Sequence, residues 1–101
     1  MRKLNQSEMM NWIESKGVWC RKGEDYKPND NDFVDTIWMG GEDRPTIGKN
    51  PLPIYDYYSY SEQYGMGVLN HWRDMLKKRG WDPEWLDCGT VFLYAIEDTE
   101  I

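Results

Sequence analysis

An α+β fold, a small mostly antiparallel sheet with two helices packed on one face, is predicted for this 101-residue chain by three observations. One is a fully signalled helix near the start. Another is a long amphipathic stretch ending in Lys77-Lys78-Arg79-Gly80, and the third is Thr90 to Ile96, an uncharged β-branched and aromatic run. The length fits one domain with a single core, spanning residues 1–101.

Asn5 is placed as an N-cap, with Glu8 three residues on as in a capping box. Leu4 and Met9 hold the staple positions, and Met9, Trp12 and Ile13 follow at helical spacing. Gly17 suits a left-handed C-cap, so the helix is predicted over Gln6 to Lys16. Val18-Trp19-Cys20 reads as a short strand. Arg21 to Asp32 is polar and turn-rich, and Phe33 to Met39 reads as a strand with Phe33, Asp35, Ile37 and Met39 on one face. Arg44 to Pro53, with three prolines, predicts an ordered loop.

Ile54 to Tyr60 holds four tyrosines and is expected to be extended, with some of the rings exposed because neighbours on a strand point to opposite faces. The second helix is predicted from Glu62 to Arg79 on the stripe Val68, Leu69, Trp72, Met75 and Leu76, stopped by Gly80 at C′. Trp81 is expected to pack back on Leu76. Asp82-Pro83-Glu84-Trp85 reads as a capped single turn, and Thr90 to Ile96 as a central strand buried on both faces. The tail, 97–101, is acidic and is expected to fray. Of the six tryptophans, Trp12, Trp72 and Trp81 are expected inside.

The net charge is −6, and two stretches carry it: Glu24 to Asp43 has seven acids against Lys27, and Asp82 to Ile101 has six acids and no base. A charge so segregated steers the protein toward partners of opposite sign. Direct nucleic-acid binding is not expected, because phosphate affinity needs a basic footprint and only Lys77 to Arg79 forms a local cluster. No apolar run approaches the roughly 20 residues that cross a bilayer, and the first residues lack the apolar core of a signal peptide, so no membrane association and a cytoplasmic location are expected. Cys20 and Cys88 are far apart and outside any C-x-x-C spacing; they read as two reduced, partly buried thiols.

Signals for catalysis, metal or cofactor are weak throughout, and neither an enzyme nor a cofactor is expected. His71, the single histidine, reads as a half-exposed surface residue that could pair with Asp74 one turn on. Asp30-Asn31-Asp32 lacks the glycine and the glutamate of a calcium loop and reads as a solvated turn. Gly40-Gly41 and Gly65-Met66-Gly67 match no phosphate-binding fingerprint. Thr99-Glu100-Ile101 has the form of a PDZ ligand, but three residues match too often by accident to count.

What remains is an acidic chain rich in tyrosine and tryptophan, residues that anchor protein interfaces. The expected role is a non-enzymatic binding protein that engages a basic, nucleic-acid-handling partner protein as an inhibitor, occupying a groove built for phosphates. In character, though in no motif, this is the behaviour of phage antirestriction and anti-CRISPR proteins and of nuclease immunity proteins. The expected contacts are Glu24, Asp25, Asp30, Asp32, Asp35, Glu42 and Asp43, with Tyr55, Tyr57 and Tyr58 beside them. The alternative is an accessory subunit, or a homodimer, that pairs through an exposed tyrosine-rich edge strand.

Overall fold

The computed structural model describes residues 3–42 and 44–96. Asp43 and the acidic tail, with its PDZ-like end, lie outside the described residues. The first helix, α1, spans Gln6–Ser15 and carries the predicted capping box, the Asn5 side chain accepting from the Glu8 N–H at 2.9 Å while Glu8 accepts from the Asn5 N–H at 3.0 Å. Gly17 follows with φ +78°. Strand β1 is Arg21–Lys22 and β2 is Ile37–Gly40. A small hairpin comes next, β3 at Tyr64–Gly65 and β4 at Val68–Leu69. Helix α2, Asn70–Lys78, leads into β5, Trp81–Asp87, and β6, Thr90–Ala95.

The main sheet is antiparallel in the order β1-β2-β6-β5, with β6 central as its apolar run predicts. Its alternation divides the molecule. Ile37, Met39, Val91 and Leu93 point to one face and join Met9 and Ile13 of α1 and Trp72 and Leu76 of α2 in the core. Full burial of each such side chain contributes about 1.5–3 kcal/mol before chain entropy is set against it. Tyr55 sits in the middle, its hydroxyl donating to Met39 Sδ at 3.1 Å and accepting from Trp72 Nε1 at 3.0 Å. Burial pushes that phenol well above its ordinary pKa.

The opposite face of the sheet carries Arg21, Trp38, Phe92 and Glu84 in one cross-strand row and Tyr94 with Asp82 in another. No helix covers it. The β1–β2 loop does, laying Tyr26 and Phe33 on Phe92 with ring centroids 5.2 and 4.6 Å away.

Several expectations change. The stretch expected as a strand from Phe33 begins instead as a 3-10 turn over Asn31–Phe33, because the Asp30 side chain accepts from the Asp32 N–H at 2.9 Å and the Thr36 hydroxyl donates to the Phe33 carbonyl at 2.7 Å. Asp35 is then left-handed, at φ +61°. Val18 to Cys20 precedes the strand rather than forming it. The second helix starts eight residues later than predicted, at Asn70, since Met66 and Gly67 both have positive φ and close a two-residue hairpin turn that no helix can pass through. A Cβ at Gly67 would also stand 3.0 Å from the Tyr57 Cα.

Asp82 to Trp85 is strand, not a helical turn. Pro83 is tolerated there because β5 is an edge strand, where a missing N–H removes no ladder partner on the open side. The tyrosine segment forms no strand beyond the single bridge Tyr55–Val68, and the chain turns at 57–58. Gly80 does end α2, at φ +88°, and Trp81 is buried with its indole donating to the Leu4 carbonyl at 2.9 Å. Trp12 is only partly buried, stacked on Trp72 at 5.4 Å with the Arg79 guanidinium 4.0 Å from its ring centre.

Candidate functional site

Two surface regions bring charged and aromatic side chains together. The first is the loop-covered face of the sheet. Tyr26 and Phe33 hold the first acidic loop down on Phe92, and this sets Asp32 within electrostatic reach of Tyr94; Glu84 reaches the same ring from β5, paired with Phe92. Burial, then Glu84, then Asp32 push the Tyr94 phenol above its ordinary pKa. Asp82 stands opposite Tyr94 in the register and meets Arg73 at 3.5 Å. Here the two acidic stretches, fifty residues apart in sequence, converge because the loop between β1 and β2 is pinned by its two aromatic residues.

The second region is the far end of the sheet, around the β5–β6 turn. Glu42, Arg44, Asp56, Tyr57, Tyr58 and Cys88 surround a cleft of about 220 Å³. Tyr57 packs edge-on against both Tyr58 and Trp85, at 5.2 and 5.0 Å. Hydrogen bonding to the Cys88 thiol, followed by the charge of that group, raises the Tyr58 pKa. Trp85 donates its indole N–H to the Met66 carbonyl at 2.8 Å, and Met66 itself is 89% exposed. Glu42 also borders a neighbouring groove of about 340 Å³, with Trp19, Trp38, Gly40, Gly89 and Thr90.

The expected contact residues divide between these regions instead of forming one group. Asp32 belongs to the sheet face, and Asp30 caps the turn that carries it. Glu42, Tyr57 and Tyr58 belong to the far end. Asp25 and Asp35 are exposed on the β1–β2 loop. Glu24 turns toward α1: it accepts from the Gln6 side chain at 2.9 Å, and although partial burial works the other way, the hydrogen bonds of Gln6 and of its own and the Asp35 N–H, with the charge of Lys22, hold its carboxyl below the usual range.

Tyr55 is a correction. It is fully buried with both hydroxyl partners inside the core, so it offers nothing to a partner. The tyrosines beside it do: Tyr57 is 46% and Tyr58 71% exposed. Of the carboxylates, Asp56 meets Arg44 at 3.3 Å, whereas Asp25, Asp30, Asp32, Asp35, Glu42 and Glu84 are in no ion pair among the described residues.

Sequence reasoning passed over Glu84 and Tyr94 on the sheet face and Trp19, Trp38 and Met66 at the far end. The alternation Asp82, Glu84 on one side of a strand was the available signal, hidden because Asp-Pro also opens helices. His71 is exposed on α2 and borders an open groove with Lys16, Ile47, Lys49 and Met75. No group of three or more His, Cys, Asp or Glu side chains that could hold a metal ion occurs among the described residues. Cys20 is buried and Cys88 exposed, both free thiols, so the expectation that both are partly buried fails for Cys88. Burial, then the nearby Glu14, push the Cys20 thiol up to about 12. No described helix is long and apolar enough to cross a membrane. No protein-family model, curated protein or solved structure matches this chain.

Proposed function

We propose that this is a non-enzymatic binding protein that presents its acidic sheet face to a basic partner protein, one whose positive surface otherwise receives nucleic acid, and inhibits it by occupying that surface. The convergence of Asp32 and Glu84 on Tyr94 carries the reading, since these carboxylates come from different acidic stretches and are in no ion pair among the described residues. Unpaired carboxylates on a formed surface attract cations without an internal bond having to be broken first. Aromatic rings at the far end, Tyr57, Tyr58 and Trp19, would slow dissociation once contact is made.

The test uses decalysine as a minimal basic surface. Calorimetric titration at low and high salt is expected to give binding that weakens with salt, that is reduced in D32N/E84Q, and that releases a DNA duplex from the peptide. Binding indifferent to salt and to the double variant, or no binding, overturns the proposal.

Self-association is the second reading, and the exposed Met66 favours it. Met66 holds φ +50°, a conformation that Asn or Gly adopts more readily, at the tip of a hairpin beside Tyr57 and Trp85. A concentration-dependent dimer that survives high salt in sedimentation and is lost in M66N would support it. A monomer at all concentrations would remove it.

A further inference from the structure

We propose that the groove between Trp19, Trp38 and Glu42 receives an arginine side chain of the basic partner. The inference rests on the binding reading above and names the side chain taken at the far end of the sheet. Trp19 and Trp38 stand 5.2 Å apart at 86°, so the face of one ring and the edge of the other form a corner. That corner is the wall of a groove of about 340 Å³, within the size range of small-ligand sites and ample for one long side chain. Trp19 is 45% exposed, leaving its ring open to contact.

Glu42 supplies the charge. It borders the same groove, is exposed, and is in no ion pair among the described residues. Its carboxylate lies close against the backbone of Gly89, where a Cβ would come within 2.9 Å of Oε1; a side chain at 89 would push it away. A planar guanidinium can stack on an indole while its N–H groups fork onto a carboxylate, and it gives up hydration more easily than an ammonium. Lysine satisfies only part of this.

The chain already uses the same chemistry internally. Arg79 lies 4.0 Å from the ring centre of Trp12, and Arg21 lies 5.7 Å from that of Trp19. Arg21 does not line the groove. Its charge nevertheless opposes an incoming cation, so its removal strengthens the site.

The experiment titrates a blocked Gly-Arg-Gly peptide, and the same peptide with neutral citrulline in place of arginine, while following the indole N–H resonances of Trp19 and Trp38 by NMR. The arginine peptide is expected to give saturable shifts at both indoles and the citrulline peptide none. W19A and E42Q are each expected to weaken binding about fivefold or more, and R21A to tighten it. Glu42 is a surface residue, so E42Q tests the site even where W19A perturbs the fold. Equal shifts with citrulline, or arginine binding untouched by both W19A and E42Q, overturn the proposal. Shifts gathered around Tyr94 instead would overturn the groove while supporting the acidic sheet face, and failure of that wider reading is seen separately, in the decalysine titration.

Discussion

The two surface regions are built in opposite ways. On the sheet face the charge is outermost and the aromatics lie beneath it: Phe33 is buried against Phe92, and Asp32 rides on the loop that Phe33 pins. At the far end the aromatics themselves are outermost: Tyr58 and Trp19 are exposed, as is Met66, and Glu42 borders both the cleft and the groove there. The acid of the sheet face is therefore placed by the loop's packing, whereas the rings of the far end stand on strands and turns, with Tyr26 of the loop reaching Trp38 at 5.2 Å. A long-range, salt-sensitive attraction fits the first; a short-range contact of rings and one charge fits the second.

The largest expected effect breaks the first region and spares the second. F33A removes a buried aromatic and should cost about 3–4 kcal/mol in chemical denaturation, while letting the loop lift so that the Tyr94 phenol titrates closer to its ordinary 10.0. Y58A, which removes an exposed ring, should change stability by no more than about 0.5 kcal/mol. Equal costs would mean the loop does not depend on its anchor.

The thiols sharpen the same contrast between interior and surface. The Cys20 pKa is raised in the folded state, so its contribution to stability is complete below its ordinary 9.0 and is lost as pH climbs from there through about 12. The denaturation midpoint should fall across that window, and less steeply in C20A. Under native conditions a thiol reagent should label Cys88 rapidly and Cys20 only on opening of the fold. Rapid labelling of both would contradict the burial of Cys20.

A smaller effect is expected at the hairpin tip. M66N relieves a left-handed conformation and should raise stability by about 1 kcal/mol; a loss would show that Met66 makes contacts worth more than its strain.

How much of this was readable in the chain depends on the range of the interaction responsible. The capping box of Asn5 and Glu8, the stops at Gly17 and Gly80 and the central strand at Thr90 are set by residues within a turn of one another or by an unbroken apolar run, and each formed as expected. Asp82-Pro83 and the Gly65–Gly67 segment carry local signals that serve two structures equally well, and tertiary pairing with β6 and with Tyr55 decided between them. The candidate site was legible in its charge but not in its assembly. The sequence marks which stretches are acidic; the packing of Tyr26 and Phe33 on a strand sixty residues away determines that Asp32 and Glu84 both act on Tyr94. Two aromatic residues in an otherwise polar loop were the one hint of it. Tyr55 was misplaced for a related reason, since nothing in a run of tyrosines says which ring finds Trp72 and Met39.

The most direct measurement is the affinity for decalysine of the wild type and of D32N/E84Q, compared at low and high salt. A wild-type affinity that falls with salt, with a shallower fall and weaker binding in the double variant, is expected if the merged acidic face is what meets a basic partner. Identical salt slopes and identical affinities in the two proteins would contradict it.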